Sequence, residues 1–135
     1  MAIMRLTYQC PHCRAAINAK KNIILAARAV DNEENKGLAL LHEEIGNYTV
    51  AMSGTLNVKT GEMVEFFCPV CNKSLNSTKS KDMANFIRID ETGDETTIFI
   101  SKTFGERCTF QVDDKKRIKS YGDSVKKFLD PEWFK

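Results

Sequence analysis

Two short motifs carry the chemistry this sequence offers: Cys10-Pro11-His12-Cys13 and Cys68-Pro69-Val70-Cys71. Together they supply four soft thiolates, a donor set that suits tetrahedral Zn²⁺ at Zn–S distances of about 2.3 Å. The two-residue spacing lets a tight turn bend both sulfurs toward one ion while the turn's backbone N–H groups hydrogen-bond them. Proline after the first cysteine pre-sets φ for that bend. The position after the second cysteine calls for a left-handed backbone, which glycine adopts most cheaply. This chain has Arg14 and Asn72 there; Asn tolerates that region, whereas Arg does so poorly. The expected site is therefore Cys10, Cys13, Cys68 and Cys71 around a structural Zn²⁺. Four protein ligands fill the shell and leave no position for a catalytic water. Tetrahedral sulfur coordination also accommodates iron, and paired cysteines also perform thiol–disulfide exchange.

Other reactive side chains have plainer explanations. His12 stands between two ligands, but the intervening side chain of such a turn usually points away from the metal. His42 lies near Glu43 and Glu44, the makings of an acid/base pair, yet exposed polar residues at a strand end explain them equally well. Cys108 has Arg107 beside it, which would favour a nucleophilic thiolate. In the alternating run Cys108 to Val112 it reads more simply as a small buried hydrophobe. No Gly-rich phosphate loop, Ser-x-x-Lys or Gly-x-Ser-x-Gly arrangement occurs. No enzymatic activity is expected.

The elements that must position the cysteines are mostly strands. Ala2, Met4, Leu6 and Tyr8 alternate with Ile3, Arg5, Thr7 and Gln9 up to Cys10, the pattern of a half-buried strand. Residues 22–30 begin Ile-Ile-Leu, which favours a strand, although the alanines at 15, 16, 19, 26 and 27 fit a helix nearly as well; a strand is chosen. Residues 31–37 look like a polar hairpin connection into Leu38–Leu41. Tyr48, Val50 and Met52 alternate again. Leu56–Val58 and Met63–Phe67 flank a turn at Lys59-Thr60-Gly61-Glu62 that delivers the chain to Cys68. The polar stretch 72–82 is the best linker. Beyond it come Phe86–Ile89, a turn at 91–94, Ile98–Ile100 and Cys108–Val112. Asp123 is placed to cap a short final helix with Val125, Phe128 and Leu129 on one face and Pro131 ending it. The expected organisation is mostly β, with one lobe at 1–78 and a small antiparallel lobe with a C-terminal helix at 79–135, or one continuous domain.

Composition supports this. Of 135 residues, 42% are hydrophobic and 28% charged, which excludes a disordered tail, a collagen-like chain and an integral membrane protein. The longest strictly apolar run, Ile23–Ala27, is far short of the roughly 20 residues of a membrane span. The N-terminus offers no continuous apolar stretch of the signal-peptide kind, and a cytoplasmic location is expected. Twenty Lys and Arg against eighteen Asp and Glu give +2, and four thiolates with one divalent ion would cancel it. The positive charge is scattered, and Asp113-Asp114 adjoin the densest cluster, so nucleic acid is not indicated as a partner. The tail is more apolar than a free terminus needs: Phe128, Leu129, Trp133 and Phe134 either dock on the domain's own core or anchor a protein partner.

The two motifs resemble the knuckles of zinc-ribbon proteins, which read Cys-Pro-x-Cys. Cys68-Pro69-Val70-Cys71-Asn72-Lys73-Ser74-Leu75 is similar to a ribbon's second knuckle, including Leu four residues after the last cysteine. The resemblance implies zinc and a β-hairpin capped by each knuckle, and it spans protein-binding and nucleic-acid-binding roles. With no catalytic constellation in the chain, a binding or adaptor module is expected, a nucleic-acid-binding ribbon being the alternative. The resemblance covers the knuckles and their flanking strands; the 54 residues between Cys13 and Cys68 exceed what the simplest ribbons carry. Rubredoxins, which resemble the chain in the same paired knuckles, would imply iron and electron transfer. Cys-Pro-His-Cys is also similar to the redox dithiol of thioredoxin-fold oxidases. That fold sets a cis-proline opposite the dithiol, whereas the prolines here are only Pro11, Pro69 and Pro131.

Overall fold

The computed structural model describes residues 6–77, 82–106 and 108–122. Side chains of residues 22–29 alternate strictly, with Ile23, Leu25, Ala27 and Ala29 buried and their neighbours half-buried. That period of two belongs to a strand and not a helix. The described residues form ten strands: β1 Thr7–Gln9, β2 Asn18–Ala19, β3 Asn22–Ala29, β4 Asn32–His42, β5 Val50–Gly54, β6 Val64–Phe67, β7 Met83–Ile89, β8 Glu95–Ser101, β9 Thr109–Val112 and β10 Ile118–Tyr121. Among these residues there is no helix, and so none long and apolar enough to cross a membrane.

All pairings are antiparallel. One sheet runs β2-β3-β4-β5. The edge of β3 away from β4 is divided, with β2 pairing at Asn22 and Ile23 and β6 at Ala26–Ala29. The other sheet runs β1-β7-β8-β9-β10, its N-terminal strand lying across Ile87–Ile89. The chain therefore changes sheet twice in this region: from β1 to β2 through residues 10–17, and from β6 to β7 through residues 68–82. Each cysteine motif sits at one of these crossings.

One buried cluster draws on both sheets. Leu25, Val64 and Phe66 come from the first, and Tyr8, Phe86 and Ile98 from the second. Tyr8 meets Phe86 edge-on, with ring centroids 5.6 Å apart at 73°, the arrangement that aromatic quadrupoles favour. A smaller cluster of Met83, Phe99, Cys108, Phe110 and Val112 lies within the second sheet. Between the sheets, Lys102 Nζ donates to Glu65 Oε1 at 2.7 Å, and Lys102 is only 4% exposed.

Some expectations need correction. The hairpin connection expected at 31–37 is only the turn Val30-Asp31; Asn32–Gly37 is already strand. These polar residues belong there because β4 faces solvent at this end and its groups bind the segment beyond β5. Asn35 Nδ2 donates to Asn57 O at 2.8 Å, and Asn57 N donates to Asn35 Oδ1 at 2.7 Å. Leu56–Val58 is not a strand, although Leu56 and Val58 are buried. Strand β10 was not foreseen: it is an exposed, charged edge. Its turn is set by Asp113 Oδ1, which accepts the amides of Lys115 and Arg117 at 2.9 Å. Ala2 and Met4, residues 78–81 of the linker, Arg107, and the final helix and tail with Phe128, Leu129, Trp133 and Phe134 lie outside the described residues.

Gly37 pairs in register with Gly54. A Cβ on Gly37 would run into the backbone carbonyl oxygen of Ser53, so β4 and β5 approach closely only because that side chain is absent. Gly37→Ala is expected to destabilise the fold by about 1–3 kcal/mol, read as a lower midpoint in urea unfolding.

Candidate metal centre

The two crossings are built alike. After each motif the chain folds back onto the strand that led into it: Ile17 N donates to Tyr8 O at 2.8 Å, and Leu75 N to Phe66 O at 2.9 Å. Within the turns, Cys10 N donates to Ala15 O at 3.1 Å and Arg14 N to Cys10 O at 3.0 Å. The second motif repeats the pair with Cys68 N to Lys73 O at 3.0 Å and Asn72 N to Cys68 O at 2.9 Å. Cys10 Sγ accepts the amides of His12 and Cys13 at 3.3 and 3.5 Å, and Cys68 Sγ those of Val70 and Cys71 at 3.3 and 3.4 Å. These donors stabilise negative charge on sulfur.

Closing the turns requires a left-handed residue after the second cysteine, and Arg14 (φ 63°) and Asn72 (φ 66°) both adopt it. Arg14 does so despite its side chain. Its Nη1 lies 3.1 Å from Glu95 Oε1, but both side chains are about half exposed. Such a pair is worth less than about 1 kcal/mol, against the roughly 1–2 kcal/mol cost of the left-handed conformation. The turn's backbone bonds, and not the ion pair, hold Arg14 there.

The turns bring Cys10, Cys13, Cys68 and Cys71 together, with all four sulfurs within 4.8 Å of one another. They meet crosswise: Cys10 Sγ is 3.7 Å from Cys71 Sγ, and Cys13 Sγ is 3.7 Å from Cys68 Sγ. A regular tetrahedron of sulfurs about 2.3 Å from a central ion has an edge of about 3.8 Å. A disulfide would place two sulfurs about 2.05 Å apart, and all four cysteines are free thiols here. The set can hold a metal ion. The first cysteine of each motif is fully buried, whereas Cys71 is half-buried and Cys13 exposed.

The two buried thiols are pushed in opposite directions. Burial pushes the Cys10 thiol up to about 12, although the amides of Cys13 and His12 pull the other way. Burial also acts on Cys68, but there the amides of Cys71 and Val70 and the neighbouring Cys10 and Cys13 outweigh it and lower the thiol to about 7. Four thiolates at this spacing need a positive ion among them.

The other candidates do not join the cluster. The ring of His12 reaches the opposite crossing, with Nε2 3.1 Å from Ser74 O. His42 Nδ1 accepts the Glu44 amide at 3.0 Å, and Glu43 offers its backbone oxygen to the Tyr8 hydroxyl at 2.6 Å. Neither carboxylate pairs with the imidazole in these contacts. Cys108 is 1% exposed among Met83, Phe99 and Phe110. Two structural residues escaped the sequence reading. Lys102 continues the inward series Ile98, Ile100, and that spacing was the available signal for a buried cation. The Tyr8 hydroxyl contact joins residues 35 apart and left no local trace.

Compared with known protein families, curated proteins and solved structures, the chain matches none.

Two outcomes follow. Because Cys10 holds its proton at neutral pH in the metal-free cluster, metal uptake must expel it, and affinity must rise with pH. Calorimetric titration with Zn²⁺ in buffers of different ionisation enthalpy, between about pH 6 and 8, is expected to show net proton release. Arg14→Gly is expected to raise the urea midpoint of the metal-loaded protein slightly, since relief of the left-handed strain exceeds the lost surface pair.

Proposed function

We propose that this protein is a zinc-ribbon-like module whose Cys10, Cys13, Cys68 and Cys71 hold one structural Zn²⁺, and that it serves as an intracellular interaction or adaptor protein. The observation that carries the reading is the clustering of the four sulfurs within 4.8 Å, two pairs of them 3.7 Å apart and so near a tetrahedral edge, between two turns with the same hydrogen-bond set. The Leu75 side chain, fully buried behind the second motif, stands where zinc ribbons carry a leucine. Bound there, the ion would supply cross-linking between the sheets; a four-cysteine shell leaves no open position for substrate. The proposed partner is another protein, engaged through the apolar tail Phe128, Leu129, Trp133 and Phe134.

Elemental analysis of untagged protein, purified without chelator, is expected to give one zinc per chain and four thiols masked until the metal is removed. Iron with red absorbance, or two disulfides and no metal, would overturn the assignment. A structural zinc of this type contributes on the order of 10–16 kcal/mol, against a domain stability of about 5–15 kcal/mol. Cys68→Ser is therefore expected to lose both the metal and cooperative thermal unfolding; retention of both would contradict the proposed role.

A further inference from the structure

A cavity of about 390 Å³ is lined from both sheets, and none of the four clustered cysteines lines it. Its lining is more apolar than polar, with Ile23 and Ala39 from the first sheet and Phe86 and Ile98 from the second, while groups such as Asn47, Thr60 and Thr103 add polarity. Its exposed end is formed by residues 43–49 and 101–106. Protein interiors are packed to the density of organic crystals, with few voids larger than a water molecule. This one is more than twice the roughly 150 Å³ of an engineered apolar cavity that takes up benzene, and it lies within the size range of small-molecule sites.

The opening is built into the fold. Tyr8 donates its hydroxyl to Glu43 O at 2.6 Å, and Tyr48 donates to Tyr121 O at 3.0 Å, so the second sheet grips both ends of segment 43–49. Across from it, Gly61 N donates to Phe104 O at 2.9 Å and Phe104 N to Glu62 O at 2.8 Å.

Charge selects the occupant. The one buried cation of the lining, Lys102, is already paired with Glu65. Among the described residues the buried side-chain polar atom lacking a partner is Arg88 Nε, and Arg88 does not line the cavity. Glu43, Glu44 and Glu106 stand at the rim, so a carboxylate would approach against like charge. We propose that this cavity is a binding site for a neutral, largely apolar small molecule, independent of the metal centre.

The test is titration of the metal-loaded full chain with the neutral fluorophore N-phenyl-1-naphthylamine. Saturable binding at one site per chain is expected, with a medium-chain carboxylate competing about tenfold or more less well than the alcohol of the same length. Ala39→Phe and Ile98→Trp, which fill the cavity from opposite walls, are each expected to weaken binding about tenfold or more while metal content and cooperative unfolding persist. Should either variant fail to fold, methyl resonances of the wild-type protein decide. Those of Ile23 and Ile98 are expected to shift on addition of the fluorophore, and that of the exposed Val70 to stay in place. Absence of saturable binding, undiminished binding in both folded variants, shifts at Val70 without shifts at Ile23 and Ile98, or preference for the carboxylate would each overturn the proposal.

Discussion

The chain passes between its two sheets at residues 10–17 and 68–82, and both crossings begin with a cysteine turn. Everything else in the fold is arranged around that coincidence. A sheet-to-sheet crossing normally breaks regular pairing, yet here each turn hands its backbone groups to the strand it has just left, and few are stranded. The first cysteine of each turn is at once a core side chain and a donor to the cluster, so packing and coordination converge on the same two residues. Contacts between Cys10 and Cys71, and between Cys13 and Cys68, close loops of some 55–60 residues. The cost of closing a loop grows only slowly with its length, and a metal ion held by these sulfurs would add to the sheet pairing that already closes comparable loops.

The sequence disclosed those features whose causes are local. Two-residue cysteine spacing dictates a turn, and alternation in Ile23–Ala29 marks a strand even where alanines blur it. The Lys59–Glu62 turn announced itself through Gly61, whose φ is 94° and whose neighbour Glu62 N donates to Lys59 O at 3.0 Å. Features whose causes are distant stayed hidden. Asn32–Asn35 is polar, and nothing near it reveals that residues 55–57 will satisfy it. Ile118–Tyr121 lacks apolar alternation and becomes strand only because β9 offers it an edge. The pairing of β1 with β7 links residues some 80 apart and could not be read from either segment alone.

Arg14 illustrates how a local rule can be right about cost and silent about outcome. Side-chain sterics disfavour arginine in the left-handed region, and the residue adopts it nonetheless, because the turn's hydrogen bonds over-determine the backbone.

The burial order of the sulfurs has a kinetic corollary. Cys10 and Cys68 are sealed in the core, whereas Cys13 is exposed and Cys71 half-buried. The cluster thus has an inner and an outer side, and a chelator or alkylating agent would meet the outer pair first. Were a metal ion held there, Cys13 would be the ligand most open to such reagents.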